Sequence, residues 1–159
     1  HTGNITCTAF SRNGELLASG GENEGAVFLW DTQTCELRLR LQGRSHQIDC
    51  LAFSRNGEML ATAAENSIDI WDTQSWSAVT TIQHPAPILG IDFSPGDGLI
   101  AVASGTQVTT YETFYWQARN VFSGHSRQVN SVLFSPQGDL LASGSLDGTI
   151  VLWNARDAS

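Results

Sequence analysis

The sequence predicts an all-β chain in which one structural repeat of about 41 residues occurs four times. Two markers recur at this spacing. The first marker is a Phe followed by Ser, at Phe10, Phe53, Phe93 and Phe134. The second marker is an aromatic residue followed by Asp, Glu or Asn, at Trp30, Trp71, Tyr111 and Trp153. Successive copies of each marker lie 40 to 43 residues apart, which indicates internal duplication.

Each repeat is predicted to contain four antiparallel strands in a fixed order. The first strand is the apolar run that ends at the Phe, as in residues 48–53, and a turn such as Ser-Arg-Asn-Gly joins it to the second. The third strand leads to the Trp, and the fourth follows it, as in residues 36–41. Four such strands form one blade of a β-propeller, because a lone twisted sheet of this size must bury its faces against copies of itself.

We therefore expect propeller blades of four antiparallel strands at consecutive stretches of the chain: 1–43 (blade 1), 44–83 (blade 2), 84–123 (blade 3, degenerate) and 124–159 (blade 4). Six residues follow Trp153, whereas about twelve follow the Trp of an earlier blade to complete its fourth strand, so we expect blade 4 to lack its outer strand. The chain would then hold about three and three-quarter blades, as an open arc or as part of a larger ring.

Composition excludes several classes of function. The formal net charge is −8, from 16 acidic and 8 basic residues, and every basic residue is Arg. Nucleic acids and anionic membranes are bound by clustered positive charge, so we expect neither as a partner. No apolar run reaches the roughly 18 residues of a membrane span, and no signal pattern opens the chain, so we expect a soluble, cytoplasmic protein. The three cysteines are too few and too far apart for a disulfide framework, and we interpret them as reduced core residues: Cys7, Cys35 and Cys50.

The fourth repeat closely resembles the WD repeat of the β-propeller family of that name. The matching segments are Gly-His at 124–125, Phe-Ser-Pro at 134–136, Leu-Leu-Ala-Ser-Gly-Ser at 140–145, Asp-Gly at 147–148 and Trp-Asn at 153–154. In that family the His, a Ser or Thr nine residues after the Phe, the Asp of the tight turn and the Trp form a hydrogen-bonded chain. The resemblance therefore implies such a structural network at His125, Ser143, Asp147 and Trp153.

The other repeats depart from the family pattern, and we expect their networks to be partial. Repeat 1 keeps the His, Ser and Trp but has Asn at the Asp position, in His1, Ser19, Trp30 and Asn23. Repeat 2 has the corresponding residues Arg44, Thr62, Trp71 and Asn66. Repeat 3 keeps the His but has apolar or aromatic residues at the Ser and Trp positions, in His84, Val102 and Tyr111. We expect repeat 3 to pack by shape alone and to be the least rigid blade.

A Ser, a His and an Asp in one repeat also permit the interpretation that the chain is a hydrolase. We favour the structural interpretation, because the sequence has no Gly-x-Ser-x-Gly elbow and the Ser lies in a predicted strand. A metal site is the other alternative. His1, His84 and His125 occupy equivalent places in successive blades, which separates them around a ring. We therefore expect no catalytic residue, no cofactor and no metal site.

The resemblance also implies where partners bind. In this family, partner-binding residues lie on the face formed by the loops at the start of the first strand and between the second and third strands. The positions that match at the first strand are Thr6, Asp49, Leu89 and Asn130. Those that precede the tight-turn residue, or lie beside this face, are Glu22, Glu65, Leu146, Arg127 and His46. The alternative for each is an ordinary solvated residue, and the two Leu favour a partner most because exposed apolar loop residues need a covering group.

These observations predict a non-catalytic scaffold that presents a rigid loop face to protein or peptide partners. The acidic charge of that face favours basic partners, and further blades from the same chain or a second copy would close the ring. The alternative is a sensor or ligand-recognition region of a larger multidomain signalling protein whose catalytic domain lies outside this chain. The near-identity of the first two repeats favours a bacterial source for such a protein.

Overall fold

The computed structural model of the chain describes residues 1–43 and 47–156. Within these ranges the chain forms fifteen β-strands and no helix. No membrane-spanning helix is therefore found among the described residues. The strands form four separate antiparallel sheets, in each of which every strand pairs with the next one along the chain. The predicted class, all-β with propeller-type blades, is confirmed.

The chain divides into two compact halves, residues His1–Pro85 and Ala86–Ser159. The N-terminal half contains sheets 1 and 2, of four strands each. Sheet 1 consists of β1 (Ile5–Phe10), β2 (Leu16–Gly21), β3 (Ala26–Asp31) and β4 (Leu37–Gln42). Sheet 2 consists of β5 (Cys50–Phe53), β6 (Met59–Ala64), β7 (Ser67–Asp72) and β8 (Ala78–Gln83).

The C-terminal half contains sheets 3 and 4. Sheet 3 consists of β9 (Ile88–Phe93), β10 (Leu99–Ser104), β11 (Gln107–Glu112) and β12 (Ala118–Ser123). In sheet 4 the described residues form three strands, β13 (Val129–Phe134), β14 (Leu140–Ser145) and β15 (Ile150–Asn154).

The turn between the first two strands of each sheet is closed by the Ser that follows the marker Phe. Its hydroxyl accepts a hydrogen bond of 2.9 to 3.1 Å from the backbone N–H that begins the second strand; these serines are Ser11, Ser54, Ser94 and Ser135. The turn also needs one residue at positive φ, which is Gly14 in sheet 1 and Asp97 in sheet 3. The same local chemistry therefore fixes this hairpin in all four repeats.

Sheets 1 and 2 bury their facing apolar residues in one cluster. Leu29 and Val27 of sheet 1 and Leu60 of sheet 2 belong to this cluster and are almost fully buried. Ile48, just before sheet 2, enters the space above Gly20, where a Cβ atom would lie only 2.6 Å from the Ile side chain. Glycine is therefore required at this position by the close approach of the two sheets.

Sheets 3 and 4 form the second cluster. Phe122 and Trp153 lie at its centre, with ring centroids 5.7 Å apart. A Cβ atom at Gly90 would lie 3.2 Å from the Cα of Ser131, so the first strands of the two sheets touch through their backbones. The Asp92 carboxylate, which accepts a 2.8 Å hydrogen bond from the Phe134 N–H, joins the same two strands.

Sheet 3 differs from the others in its buried polar atoms. Three of them, Ser104 Oγ, Thr110 Oγ1 and Asn120 Nδ2, have no hydrogen-bond partner among the described residues. Thr110 is fully buried. Burial of a hydroxyl without a partner costs free energy of folding. This cost agrees with the expectation that the degenerate repeat is the least rigid blade, which remains a prediction.

We predict that Thr110→Val stabilises the protein, by about 1 kcal/mol, since it replaces a buried hydroxyl without a partner by a methyl group of similar size. Urea unfolding measures the change. The control is Thr62→Val, the same substitution at a hydroxyl that accepts a 3.0 Å hydrogen bond from Trp71 Nε1. It should destabilise the protein, and equal losses in the two variants would contradict the prediction.

Candidate functional site

Each sheet has two opposite edges at which its loops lie. The hairpin edge carries the turn between the first and second strands and the loop between the third and fourth. In sheet 1 these are joined by the Thr32 N–H, which donates to the Glu15 carbonyl at 3.0 Å. The network edge carries the turn between the second and third strands and the segment that enters the first strand. In sheet 1 the Glu22 N–H joins these by donating to the Asn4 carbonyl at 2.9 Å.

At the network edge of sheet 4, four side chains form one hydrogen-bonded chain. Trp153 Nε1 donates to Ser143 Oγ at 2.8 Å, and Ser143 Oγ lies 2.8 Å from His125 Nε2. His125 Nδ1 lies 2.9 Å from the Asp147 carboxylate. In a neutral imidazole the Nδ1–H donates to the carboxylate, so Nε2 accepts from the serine hydroxyl. These hydrogen bonds thus link the turn after β14 to the centre of the sheet.

A fifth residue, Thr149, belongs to this network and was missed by sequence reasoning. Its hydroxyl and its backbone N–H both donate to Asp147 Oδ1. The hydroxyl contributes most to holding the pKa of the Asp147 carboxyl well below its usual range. Desolvation opposes this shift, and hydrogen bonds from His125 and from the Ser126 N–H add to it. The carboxylate is thereby kept ionised and fixed in place.

The geometry at Ser143 matches that of a catalytic triad, but its surroundings do not. A nucleophilic serine must be reached by a substrate carbonyl. Ser143 is only 1% exposed, and its Oγ contacts both Trp153 and His125. A Cβ atom at Gly124 would lie 2.9 Å from the Trp153 ring, so the indole also fills the space beside the His. The arrangement can hold a turn in place, and it leaves no room at the hydroxyl for a substrate.

Sheet 1 has an equivalent network, and its carboxylate comes from Glu24. His1 Nε2 lies 2.7 Å from Ser19 Oγ, which accepts from Trp30 Nε1 at 2.8 Å. His1 Nδ1 lies 2.6 Å from Glu24 Oε2. Desolvation alone raises the pKa of Glu24, and hydrogen bonds from the backbone and hydroxyl of Thr2 outweigh it, so the pKa is lowered.

The expectation that Asn23 occupies the acidic position was wrong. The turn in sheet 1 is one residue longer than that in sheet 4, because eleven positions separate Ser19 from Trp30 and ten separate Ser143 from Trp153. Asn23 instead takes the turn position with φ of 68°. Counting six residues back from the Trp finds the carboxylate in both sheets, at Glu24 and Asp147. Counting four residues forward from the Ser finds Asp147 in sheet 4 but Asn23 in sheet 1.

The second and third repeats hold less of the network. Trp71 Nε1 donates to Thr62 Oγ1, and Arg44 lies outside the described residues. His84 is buried, and desolvation lowers the pKa of its imidazole. In repeat 3 the positions of the Ser and Trp are taken by two buried side chains, Val102 and Tyr111.

The candidate partner-binding residues of the N-terminal half lie at the network edge. Asp49 is half-buried, and its carboxylate accepts from Gln47 Nε2 at 2.6 Å and from the Glu65 N–H at 2.9 Å. Glu22 is held by a 3.0 Å hydrogen bond from Asn4 Nδ2. Glu65 is exposed. Three carboxylates therefore lie at this edge. The predicted His46 lies outside the described residues.

Three other candidates, Thr6, Leu89 and Asn130, are the second residues of strands β1, β9 and β13. Each is the extra residue of a β-bulge, since the pairing register shifts across it. A bulge leaves one residue outside the ladder and turns its side chain to a new direction. Only Asn130 and Thr6 are exposed, and the Thr6 hydroxyl donates to the carbonyls of Ile48 and Gly20. Thr6 therefore links sheet 1 to the segment that enters sheet 2.

The remaining candidates lie at the network edge of sheet 4. Leu146 keeps 49% of its surface exposed, although its backbone N–H donates to the Gln128 carbonyl at 2.8 Å. Arg127 is exposed, and its Nη1 donates to the Leu146 carbonyl at 3.3 Å. An apolar side chain and a guanidinium are thus presented side by side from a fixed backbone.

The three cysteines are free, and two of them have unreactive thiols. Burial raises the pKa of the Cys7 and Cys50 thiols, which keeps them protonated. The interpretation of Cys35 as a core residue was wrong, because it is exposed. Among residues 1–43 and 47–156, no three His, Cys, Asp or Glu side chains are grouped so that they could hold a metal ion.

Comparison with known proteins identifies the repeats. The family model described as "WD domain, G-beta repeat" matches residues 1–31, 35–72 and 116–154, which together cover more than half of the chain. Most of the degenerate third repeat lies between the second and third of these matches. The matched residues contain the His, Ser and Trp of both complete networks.

Several curated proteins are similar to the chain over almost its whole length. It is 28% identical to Transcriptional corepressor LEUNIG_HOMOLOG of Arabidopsis thaliana over 94% of the chain and 24% of that protein. It is 29% identical to Periodic tryptophan protein 2 homolog of Dictyostelium discoideum over 96% of the chain and 17% of that protein. It is 26% identical to Target of rapamycin complex subunit wat1 of Schizosaccharomyces pombe over 100% of the chain and 53% of that protein.

The chain therefore spans about a quarter or less of the length of the first two relatives. These three relatives come from a plant, a slime mould and a yeast, so they give no support to the expectation of a bacterial source.

We predict that Ser143→Ala lowers the free energy of unfolding by about 1–3 kcal/mol, because it leaves Trp153 Nε1 and His125 Nε2 buried without their shared partner. Urea unfolding followed by Trp fluorescence measures the loss. The control is Ser126→Ala, the same change at an exposed side chain, which should stay within about 0.5 kcal/mol of the parent. Equal unfolding midpoints for the two variants would count against the network.

We predict that the stabilising effect of Asp147 depends on pH. The pKa of this carboxyl is lowered in the folded state, so its contribution is complete above the unfolded pKa of about 3.9 and is lost as the pH falls toward the lower folded value. Wild-type protein should be more stable than Asp147→Asn at pH 7, and the difference should shrink below about pH 4. Unfolding midpoints of both proteins between neutral and acid pH measure this, and a difference that stays constant would refute it.

Proposed function

The chain belongs to the WD-repeat family, and we propose that it is a non-catalytic scaffold that binds protein partners at the network edges of its sheets. One observation carries the proposal. At these edges, exposed or half-exposed side chains are attached to turns that buried hydrogen-bonded chains hold in place. A fixed turn loses little conformational entropy when a partner binds, so its side chains are efficient contacts.

We propose a non-catalytic role because the side chains that a hydrolase would use are not accessible to a substrate. The residues with triad-like geometry, Ser143 and His125, are buried. The names of two relatives, a transcriptional corepressor and a subunit of a complex, describe proteins that act with others. The proposal places the protein in the cytoplasm, a reducing compartment in which three free cysteines remain reduced.

The proposal also includes further blades that cover sheet 4. Leu133, Ile150 and Leu152 are 62%, 78% and 64% exposed on one face of that sheet. Their equivalents in sheet 1, counted from the marker Phe and Trp, are Ala9, Val27 and Leu29, and the latter two are buried beneath sheet 2. In the N-terminal half, sheet 2 covers the equivalent apolar face of sheet 1. We therefore expect the exposed face of sheet 4 to be covered by a similar sheet, from the same chain or from a second copy.

The partners that fit the network edge of the N-terminal half are basic. Glu22, Asp49 and Glu65 lie there, and the net charge of the chain is −8. Complementary charge accelerates association and selects partners, and salt screens the attraction. Lys- or Arg-rich peptides should therefore bind more tightly at low salt than at high salt.

We predict that Glu22→Gln combined with Glu65→Gln weakens binding of a labelled Arg-rich peptide about fivefold or more, since two carboxylates are lost from one edge. Fluorescence anisotropy at low salt gives the dissociation constants. The matched control, Glu36→Gln with Glu58→Gln, removes the same charge from the hairpin edges. Equal weakening in both double variants would show attraction by net charge alone and would contradict a site at the network edge.

A further inference from the structure

We propose that the hairpin edge of the N-terminal half carries a second binding site, which takes an acidic segment of a protein partner. A cleft of about 440 Å³ opens there between sheets 1 and 2. Sheet 1 contributes the turn of residues 11–16 and Arg38, and sheet 2 contributes Phe53, Gly57 and Trp76. This site is at the opposite edge from the carboxylates described above and does not rest on the function proposed for them.

The charge of the cleft is opposite to that of the chain. Two of the eight basic residues of the chain, Arg12 and Arg38, line it. Arg12 makes no hydrogen bond or ion pair with any residue that the structure describes. The lining has one acidic residue, Glu15, which accepts a 2.8 Å hydrogen bond from Asn13 Nδ2 and keeps its negative charge, so the formal charge of the lining is +1. A local positive charge in a chain of net charge −8 favours an anionic ligand at this place.

Apolar side chains line part of the cleft. Phe53 and Trp76 both pack against the buried cluster between sheets 1 and 2 and also line the cleft, together with Leu16. Trp76 takes a positive φ of 54°, and its backbone N–H donates to the Asp72 carbonyl at 2.8 Å. The backbone that carries the indole is therefore held in place, and packing against the buried cluster restricts the ring. A volume of this size accommodates a few side chains of a peptide.

Among the described residues of the C-terminal half, the equivalent turn is arranged differently. Pro95 stands where Arg12 stands, counted from the marker Phe, and its ring lies 3.2 Å from the position of a Cβ atom at Gly138. At Gly57, the equivalent of Gly138 in sheet 2, nothing lies within 4 Å of such an atom. In the C-terminal half, the turn that contains Gly138 is therefore covered by Pro95. In the N-terminal half, the equivalent turn at Gly57 is open and lines the cleft together with Arg12 and Arg38.

The chemistry of the cleft identifies the class of ligand. A guanidinium binds a carboxylate through two parallel hydrogen bonds, and two guanidinium groups beside apolar side chains fit an apolar side chain flanked by Asp or Glu. A short nucleic acid is the other anionic ligand that arginine and aromatic side chains bind, and the experiment below distinguishes it from the peptide. We therefore assign the cleft to a short acidic peptide segment that carries apolar residues.

The test uses a fluorescein-labelled peptide of sequence Glu-Asp-Leu-Glu-Asp-Leu-Glu-Asp, titrated with the chain at low salt and followed by anisotropy. We expect saturable binding that Arg12→Glu combined with Arg38→Glu weakens at least about tenfold. The control is Arg119→Glu combined with Arg156→Glu, which changes net charge equally at exposed arginines outside the cleft. It should weaken binding no more than about twofold.

Three outcomes would overturn the proposal: no saturable binding by the parent chain, equal weakening by both double variants, or binding of an eight-nucleotide thymidine strand as tightly as the peptide. Urea unfolding of both double variants checks that they remain folded, as expected for substitutions of exposed residues. The Arg-rich peptide, titrated in parallel, separates this test from that of the network edge. Its affinity should not fall in the Arg12→Glu and Arg38→Glu variant, so either site can fail while the other stands.

Discussion

The structure depends on the burial of sheet faces against each other. A sheet of three or four short strands with apolar side chains on both faces is not stable alone, and in each half two such sheets cover one another. The approach is close enough to require glycine at Gly20, beneath Ile48, and to leave little room for a side chain at Gly90, beside Ser131. Because the strands are fixed by this packing, the turns at both edges have defined positions. Every binding property proposed for the chain follows from that rigidity.

Buried hydrogen bonds then extend the rigidity to the turns. The chain from Trp153 through Ser143 and His125 to Asp147 uses the residue types of a hydrolase triad for a structural purpose. Burial decides between the two uses, because a serine oxygen enclosed by an indole and an imidazole holds its neighbours and cannot receive a substrate. The network in sheet 1 shows that the carboxylate can move by one position when the turn lengthens, since Glu24 replaces Asp there.

Much of the fold was predictable from the sequence, because the Phe-Ser turn and the Trp recur at a fixed spacing and each is tied to local chemistry. The carboxylate Glu24 was not found, because a turn longer by one residue shifts any count made from the Ser. The bulges at Thr6, Leu89 and Asn130 carry no residue signature, since they arise from the pairing of two strands. The cleft beneath Arg12 was also out of reach, because it exists only where a turn of one sheet meets the loop of the next.

Amide hydrogen exchange tests the central claim, that packing and buried networks hold the edge turns rigid. The amides to follow are those of Glu22 and Leu146, which lie in turns at the network edges and donate to the carbonyls of Asn4 and Gln128. We expect both to exchange at least about 100-fold more slowly than in an unstructured peptide, close to the rates of the strands beside them. Exchange at the rate of an unstructured peptide, while the strands remain protected, would contradict the claim.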